Sequence, residues 1–157
     1  MNLIKLKILI FLIIILFGSS CTYQKMYSVD QKKFDIQEFD IEGNARESFI
    51  IQKKIQRFSN KESANKVKIL IALKKDKTIK EKNIQNKVVK YSLTLIANVE
   101  IIDLNTNSIM KRTFTANQVY NVDDSYSNTV NNSKDANNLL IDKIVDEILD
   151  QLRIYYS

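Results

Sequence analysis

Val89-Lys90-Tyr91-Ser92-Leu93-Thr94-Leu95-Ile96-Ala97-Asn98-Val99-Glu100-Ile101 places Val, Tyr, Leu, Leu, Ala, Val and Ile at seven successive period-2 positions. That repeat belongs to a strand with one buried face. The opposite face carries Lys90, Ser92, Thr94, Asn98 and Glu100 and is left for water or a partner. Asp103-Leu104-Asn105-Thr106-Asn107-Ser108 follows as a turn, with asparagine tolerating positive φ in place of glycine. Ile109 to Val122 returns with Phe114, Ala116, Tyr120 and Val122 on one face, so residues 88–122 predict a hairpin.

Upstream of the hairpin, Val67, Ile69, Ile71 and Leu73 mark one face of another strand, with Lys68, Leu70, Ala72 and Lys74 opposite. Between the two strands lies a basic segment, Lys74, Lys75, Lys77, Lys80, Lys82 and Lys87 against Asp76 and Glu81. It reads either as a solvated hairpin end or as a contact for anionic head groups, where lysines act as point charges on phosphate.

Earlier still, Phe34 and Ile36, then Phe39 and Ile41, alternate with polar residues but change phase across Gln37-Glu38, a strand with a bulge. Gly43-Asn44 supplies a turn and an N-cap. Ala45 to Ser59 places Ile51, Ile55 and Phe58 at helical spacing, with Arg46, Lys53, Lys54 and Arg57 mostly on the other side. Glu47, third in that helix, completes a capping-box pattern with Asn44, and Ser59 to Asn65 is a loop.

After the hairpin, Asp123 to Lys134 is polar, and a second helix is expected to start between Ser127 and Asp135. Ile141, Ile144, Ile148, Leu152 and Tyr155 form its apolar stripe, flanked by Leu140, Val145 and Leu149. The order strand–helix–strand–strand–strand–helix predicts an α+β, two-layer sandwich. Two amphipathic helices cover one face of a mixed sheet of about four strands.

The chain has 157 residues, room for one core. Histidine is absent and Cys21 is the only cysteine. Cys/His metal sites and histidine-activated nucleophiles are therefore excluded. Adjacent Asp123 and Asp124 read as capping residues in a polar loop rather than a carboxylate pair for catalysis. No enzyme and no cofactor are expected.

Lys5 and Lys7, the ten apolar residues from Ile8 to Phe17, and Gly18-Ser19-Ser20 have the three parts of an export signal. An uncleaved anchor is the alternative, but ten apolar residues are too few to span a bilayer. The segment resembles a bacterial lipoprotein signal, with Gly18 where leucine is usual, and the resemblance implies cleavage before a lipidated Cys21. Thr22 after it favours the outer membrane by the same resemblance. Residues 1–20 are then the signal peptide, 21–33 a tether and 34–157 one domain. The twelve residues Thr22 to Lys33 extend to roughly 40 Å at about 3.3–3.6 Å each.

The net charge is +6, and losing Lys5 and Lys7 with the signal leaves +4. A basic surface attracts phosphate-bearing ligands, and export makes nucleic acid an unsuitable one.

Lys90-Tyr91-Ser92-Leu93, the turn through Thr106-Asn107, Tyr120-Asn121-Val122, Asp135-Ala136 and the closing helix together resemble the LPS-assembly lipoproteins (LptE). The turn departs from the family, which often has Thr-Gly, and Thr22-Tyr23-Gln24-Lys25-Met26-Tyr27 lacks the usual proline. The resemblance implies a non-enzymatic plug seated in the large outer-membrane β-barrel of the lipopolysaccharide translocon, lipid-anchored on the periplasmic side. It also implies help in that barrel's assembly and contact with lipopolysaccharide. Lys74, Lys75, Lys77, Lys111 and Arg112, the bases read at hairpin ends, are the candidate lipopolysaccharide contacts. The second reading is a periplasmic lipoprotein that regulates a cell-wall synthase or serves a lipid transporter.

Overall fold

The computed structural model describes residues 33–156. The expected signal peptide, Cys21 and the expected tether as far as residue 32 lie outside the described residues. Within them the order is β1 (Asp35–Glu42), α1 (Ala45–Gln56), β2 (Lys66–Lys82), β3 (Val88–Asp103), β4 (Ile109–Asn121) and α2 (Tyr126–Tyr155). The four strands lie in the order β1-β2-β3-β4, with β1 parallel to β2 and the other pairs antiparallel. Both helices pack on one face, so the α+β two-layer architecture is as expected.

The bulge read at Gln37-Glu38 is where the β1–β2 register shifts, between Ile36 and Glu38. It puts Ile36 opposite Val67 and Phe39 opposite Ile69, so both halves of β1 aim their apolar side chains at the helices. The core joins Val67, Ile69 and Ile71 of β2, Leu93, Leu95, Ala97, Val99 and Ile101 of β3, and Ala116 and Tyr120 of β4 to the helices. From α1 come Ile51 and Ile55; from α2 come Leu140, Ile141, Ile144, Val145, Ile148, Leu149 and Leu152.

Three sequence expectations are corrected. First, β2 runs on to Lys82, so Lys74, Lys75 and Lys77 lie within a strand and not at a hairpin end; the turn is 83–87. Lysine is a weak strand former, but pairing to β3 overrides its propensity through Lys77↔Leu93 and Ile79↔Tyr91.

Second, α2 begins at Tyr126, one residue before the expected range, and its first turns are polar. Asp123 accepts hydrogen bonds from the Ser125 backbone and the Asn128 side chain, and the Thr129 hydroxyl accepts from the Asp123 backbone. These contacts start the helix without an apolar stripe.

Third, Tyr155 is half-exposed and Tyr156 takes the core position at the end of α2, against the Phe34 ring at 6.3 Å. The Tyr156 hydroxyl donates to Asp103 at 3.0 Å. Asp103 Oδ1 also accepts from the backbone N–H groups of Asn105 and Thr106 at 2.8 and 2.9 Å, closing the β3–β4 turn. Asn107 takes φ 56° there, the positive φ expected of it. Burial opposes ionisation of Asp103, but these donors outweigh it and hold the carboxyl below its usual range.

Candidate functional site

The two faces of the sheet differ in chemistry, and the strand alternation divides the five candidate bases between them. Lys75 and Lys77 follow Val67, Ile69 and Ile71 on the helix-side face of β2, beyond the point where α1 covers it. Lys74 faces the other way and lies 3.7 Å from Asp76. Lys111 also lies on the uncovered face, paired with Glu100 at 2.8 Å. Arg112 shares the strand face of Phe114 and Ala116 at the opposite end of the sheet, opposite Val99. The structure therefore joins Lys75 and Lys77, and separates them from Lys111 and Arg112 by roughly 20 Å along the strands, at about 3.3 Å per residue.

Lys75 and Lys77 line a cleft of about 450 Å³ between the start of α1, β2 and the polar half of α2. Arg46 and Lys134 join them in its wall. The sole acid lining it is Glu47, 4% exposed and ion-paired with Lys75. Lys75 also donates to Asn137 at 3.2 Å.

The capping box expected of Glu47 is thus only half made. Asn44 Oδ1 accepts from the N–H groups of Arg46 and Glu47, while the Glu47 side chain turns to Lys75. A buried carboxylate is costly unless paired, and the Lys75 ammonium pairs this one.

Lys75 therefore serves the fold. Lys77 is differently placed: its ammonium sits 3.9 Å from the centre of the Tyr91 ring and 5.5 Å from that of Tyr120. The two rings are themselves stacked at 5.7 Å. The aromatic faces hold the charge in place without neutralising it. Arg46, Lys77 and Lys134 thus present three positive charges around an aromatic floor, a setting for a phosphate on an otherwise apolar or sugar-bearing ligand. Arg46 and Lys134 were missed in the sequence, where Arg46 reads as the solvent side of α1 and Lys134 as loop. The crossover of α1 brings Arg46 beside β2, and the packing of α2 brings Lys134 there.

The uncovered face also holds a groove, of about 520 Å³, whose charged lining is Asp40, Glu42 and Glu100 with the candidate bases Lys111 and Arg112. Its charges are mixed, Lys111 being paired with Glu100, and Thr94–Asn117 and Thr113–Asn98 hydrogen bonds tie polar side chains across β3 and β4. Among the described residues no group of three or more His, Cys, Asp or Glu is arranged to hold a metal ion.

Solved structures resemble this arrangement, among them three lipoproteins. A candidate lipoprotein from Caulobacter crescentus matches at TM-score 0.57 and 11% identity, over 80% of this chain and 90% of that one. The rare lipoprotein B from Shewanella oneidensis matches at TM-score 0.55 and 10% identity, over 75% and 92%. An uncharacterized lipoprotein B from Nitrosomonas europaea matches at TM-score 0.56 and 12% identity, over 80% and 87%. This chain has the fold of these lipoproteins. No family model and no curated protein matches its sequence. The shared fold spans nearly the full length of each of the three, so the described domain is the counterpart of their whole folded body.

Proposed function

We propose that this chain is a non-enzymatic outer-membrane lipoprotein subunit of the lipopolysaccharide translocon. Lipidated at Cys21, it faces the periplasm, seats in a large partner β-barrel and contacts lipopolysaccharide. The observation that carries the reading is a fold shared with lipoproteins, preceded in the sequence by an export signal that ends at Cys21. The uncovered sheet face adds support. It is polar and charged, with Lys68–Glu38 and Lys111–Glu100 ion pairs, which suits the hydrated interior of a barrel. The chain acts by binding; Asp123, one of the two adjacent aspartates, is engaged in starting α2.

Of the five candidate bases we assign Lys77 to a lipid phosphate, because it sits over the Tyr91 and Tyr120 rings in the cleft that Arg46 and Lys134 also line. A charge-assisted hydrogen bond contributes about 1.5–3 kcal/mol, so Lys77→Ser is expected to weaken lipid A binding about tenfold or more. Lys111→Ser, which removes a base already paired to Glu100, should leave binding unchanged. Titration of lipid A against the folded variants measures both. Unchanged affinity for Lys77→Ser would remove the cleft from the site.

A further inference from the structure

We propose that the tip of the β2–β3 hairpin docks on an anionic lipid surface, Ile84 entering the acyl region while Lys80, Lys82 and Lys87 meet the phosphate head groups. The ribbon outruns the rest of the fold. The last β3–β4 pair is Lys90↔Asn121, and β1 stops pairing at Ala72. Past Lys90 the Val122 N–H still donates to the Val89 carbonyl at 2.9 Å; beyond that, the Lys82↔Val88 pair and the turn 83–87 project without a neighbour.

At the tip, Ile84 is 98% exposed. Single exposed apolar residues are common, but this one is held outward by a bonded turn. The Asn83 backbone N–H donates to Lys87, and the Asn86 N–H donates to Asn83. Asn83 Oδ1 accepts from the N–H groups of Gln85 and Lys87 at 3.0 and 2.9 Å. Asn86 stands at φ 62° to close the loop. The isoleucine has no path back onto the core.

The charge around it is nearly all of one sign. Glu81 is the only acid from Lys77 to Lys90, and it pairs with Lys90 at 2.6 Å. That leaves the charges of Lys80, Lys82 and Lys87 around the isoleucine, Lys82 donating to the neutral Asn86 Oδ1 at 3.1 Å, with Ile79 half-exposed behind them. An apolar point ringed by ammonium groups on flexible stems fits the boundary of an anionic bilayer, where stems lie along acyl chains and head groups take the charge. A free phosphate would use the lysines and leave Ile84 in water. The proposal does not depend on the translocon reading.

The chain has no tryptophan, so Ile84→Trp makes a sole reporter at the tip and leaves the Asn83 turn bonds intact. The full lipidated chain is placed in vesicles of phosphatidylglycerol or of phosphatidylcholine, each with lipids brominated in the acyl chains. The expected result is a blue shift and bromine quenching in phosphatidylglycerol and neither in phosphatidylcholine. Replacing Lys80, Lys82 and Lys87 with serine in the same reporter should abolish the quenching, as should high salt. Ile109→Trp, an exposed site at the other end of the sheet, should not be quenched. Equal quenching in both lipids, or quenching that survives loss of the three lysines, would show the indole driving insertion and overturn the proposal. So would quenching that needs lipid A, or that inorganic phosphate abolishes at constant ionic strength.

Discussion

Gly43→Ala should destabilise the domain by about 3 kcal/mol, read as a lower urea midpoint at unchanged slope. Gly43 joins β1 to α1 at φ +136°, a conformation that side-chain-bearing residues rarely adopt. A Cβ added there would lie 2.9 Å from Leu73 Cβ and 3.1 Å from the Leu73 carbonyl oxygen. Leu73 sits in the middle of β2, and its backbone oxygen cannot move without disturbing the ladder. Strain and overlap therefore add. The same turn delivers Asn44, Arg46 and Glu47 to the cleft, so a relaxed Gly43→Ala chain should also loosen the Glu47–Lys75 pair. A midpoint within experimental error of the unsubstituted chain would mean that the β1–α1 turn is not fixed as described.

The second large effect lies at the other end of the sheet, and it depends on pH. Asp103→Ala removes the acceptor for the Asn105 and Thr106 backbone groups and for the Tyr156 hydroxyl. Near pH 7 the expected loss is about 2 kcal/mol, the scale of orphaning buried donors that water reaches only in part. Because the Asp103 carboxyl is held below its usual range when folded, the unfolded chain takes up its proton first as pH falls. The stabilisation is thus complete above about pH 4 and disappears as pH drops through the depressed folded value. Tyr156 behaves in the opposite sense. Burial, then the hydrogen bond to Asp103 and its negative charge, push its hydroxyl well above the usual value. That stabilisation is present below about pH 10 and is lost as pH rises beyond it. The gap between parent and Asp103→Ala should therefore narrow in both acid and alkali. Tyr156→Phe should remove the alkaline limb and keep most of the acid one. A gap of constant size from about pH 2 to about pH 7 would contradict the Asp103 assignment.

The architecture could be read from the sequence because the elements that define it carry clean periods. The seven alternating positions of β3 are fixed by burial of one face, and the stripe from Leu140 to Leu152 by burial of one helical side. Even the β1 bulge showed, since a phase change across Gln37-Glu38 has no other cheap explanation in a strand. The extent of β2 did not show. Its second half is lysine-rich and owes its extended form to β3, and pairing energy leaves no mark on the strand that receives it. The start of α2 was hidden for a similar reason: Thr129 and Asn128 are tied to Asp123 by side-chain bonds that polar loops also use.

The site was legible in part. Lys77 stood out as a base, but the ring pair under it comes from Tyr91 and Tyr120 on two other strands. Glu47 read as a cap because its partner, Lys75, is 28 residues away. Tyr155 and Tyr156 were exchanged because adjacent tyrosines at a helix end differ by one step of rotation, and the Phe34 and Asp103 environment decides between them.

The reading of this chain as a translocon subunit is tested most directly by what it touches in the membrane. The lipidated full chain is crosslinked in intact outer membranes, extracted in detergent and purified, and its partner is identified by mass spectrometry. The account predicts one large outer-membrane β-barrel, recovered with the parent chain and lost with Cys21→Ala. Recovery of the chain alone under mild extraction, or with a cell-wall synthase in place of a barrel, would contradict it.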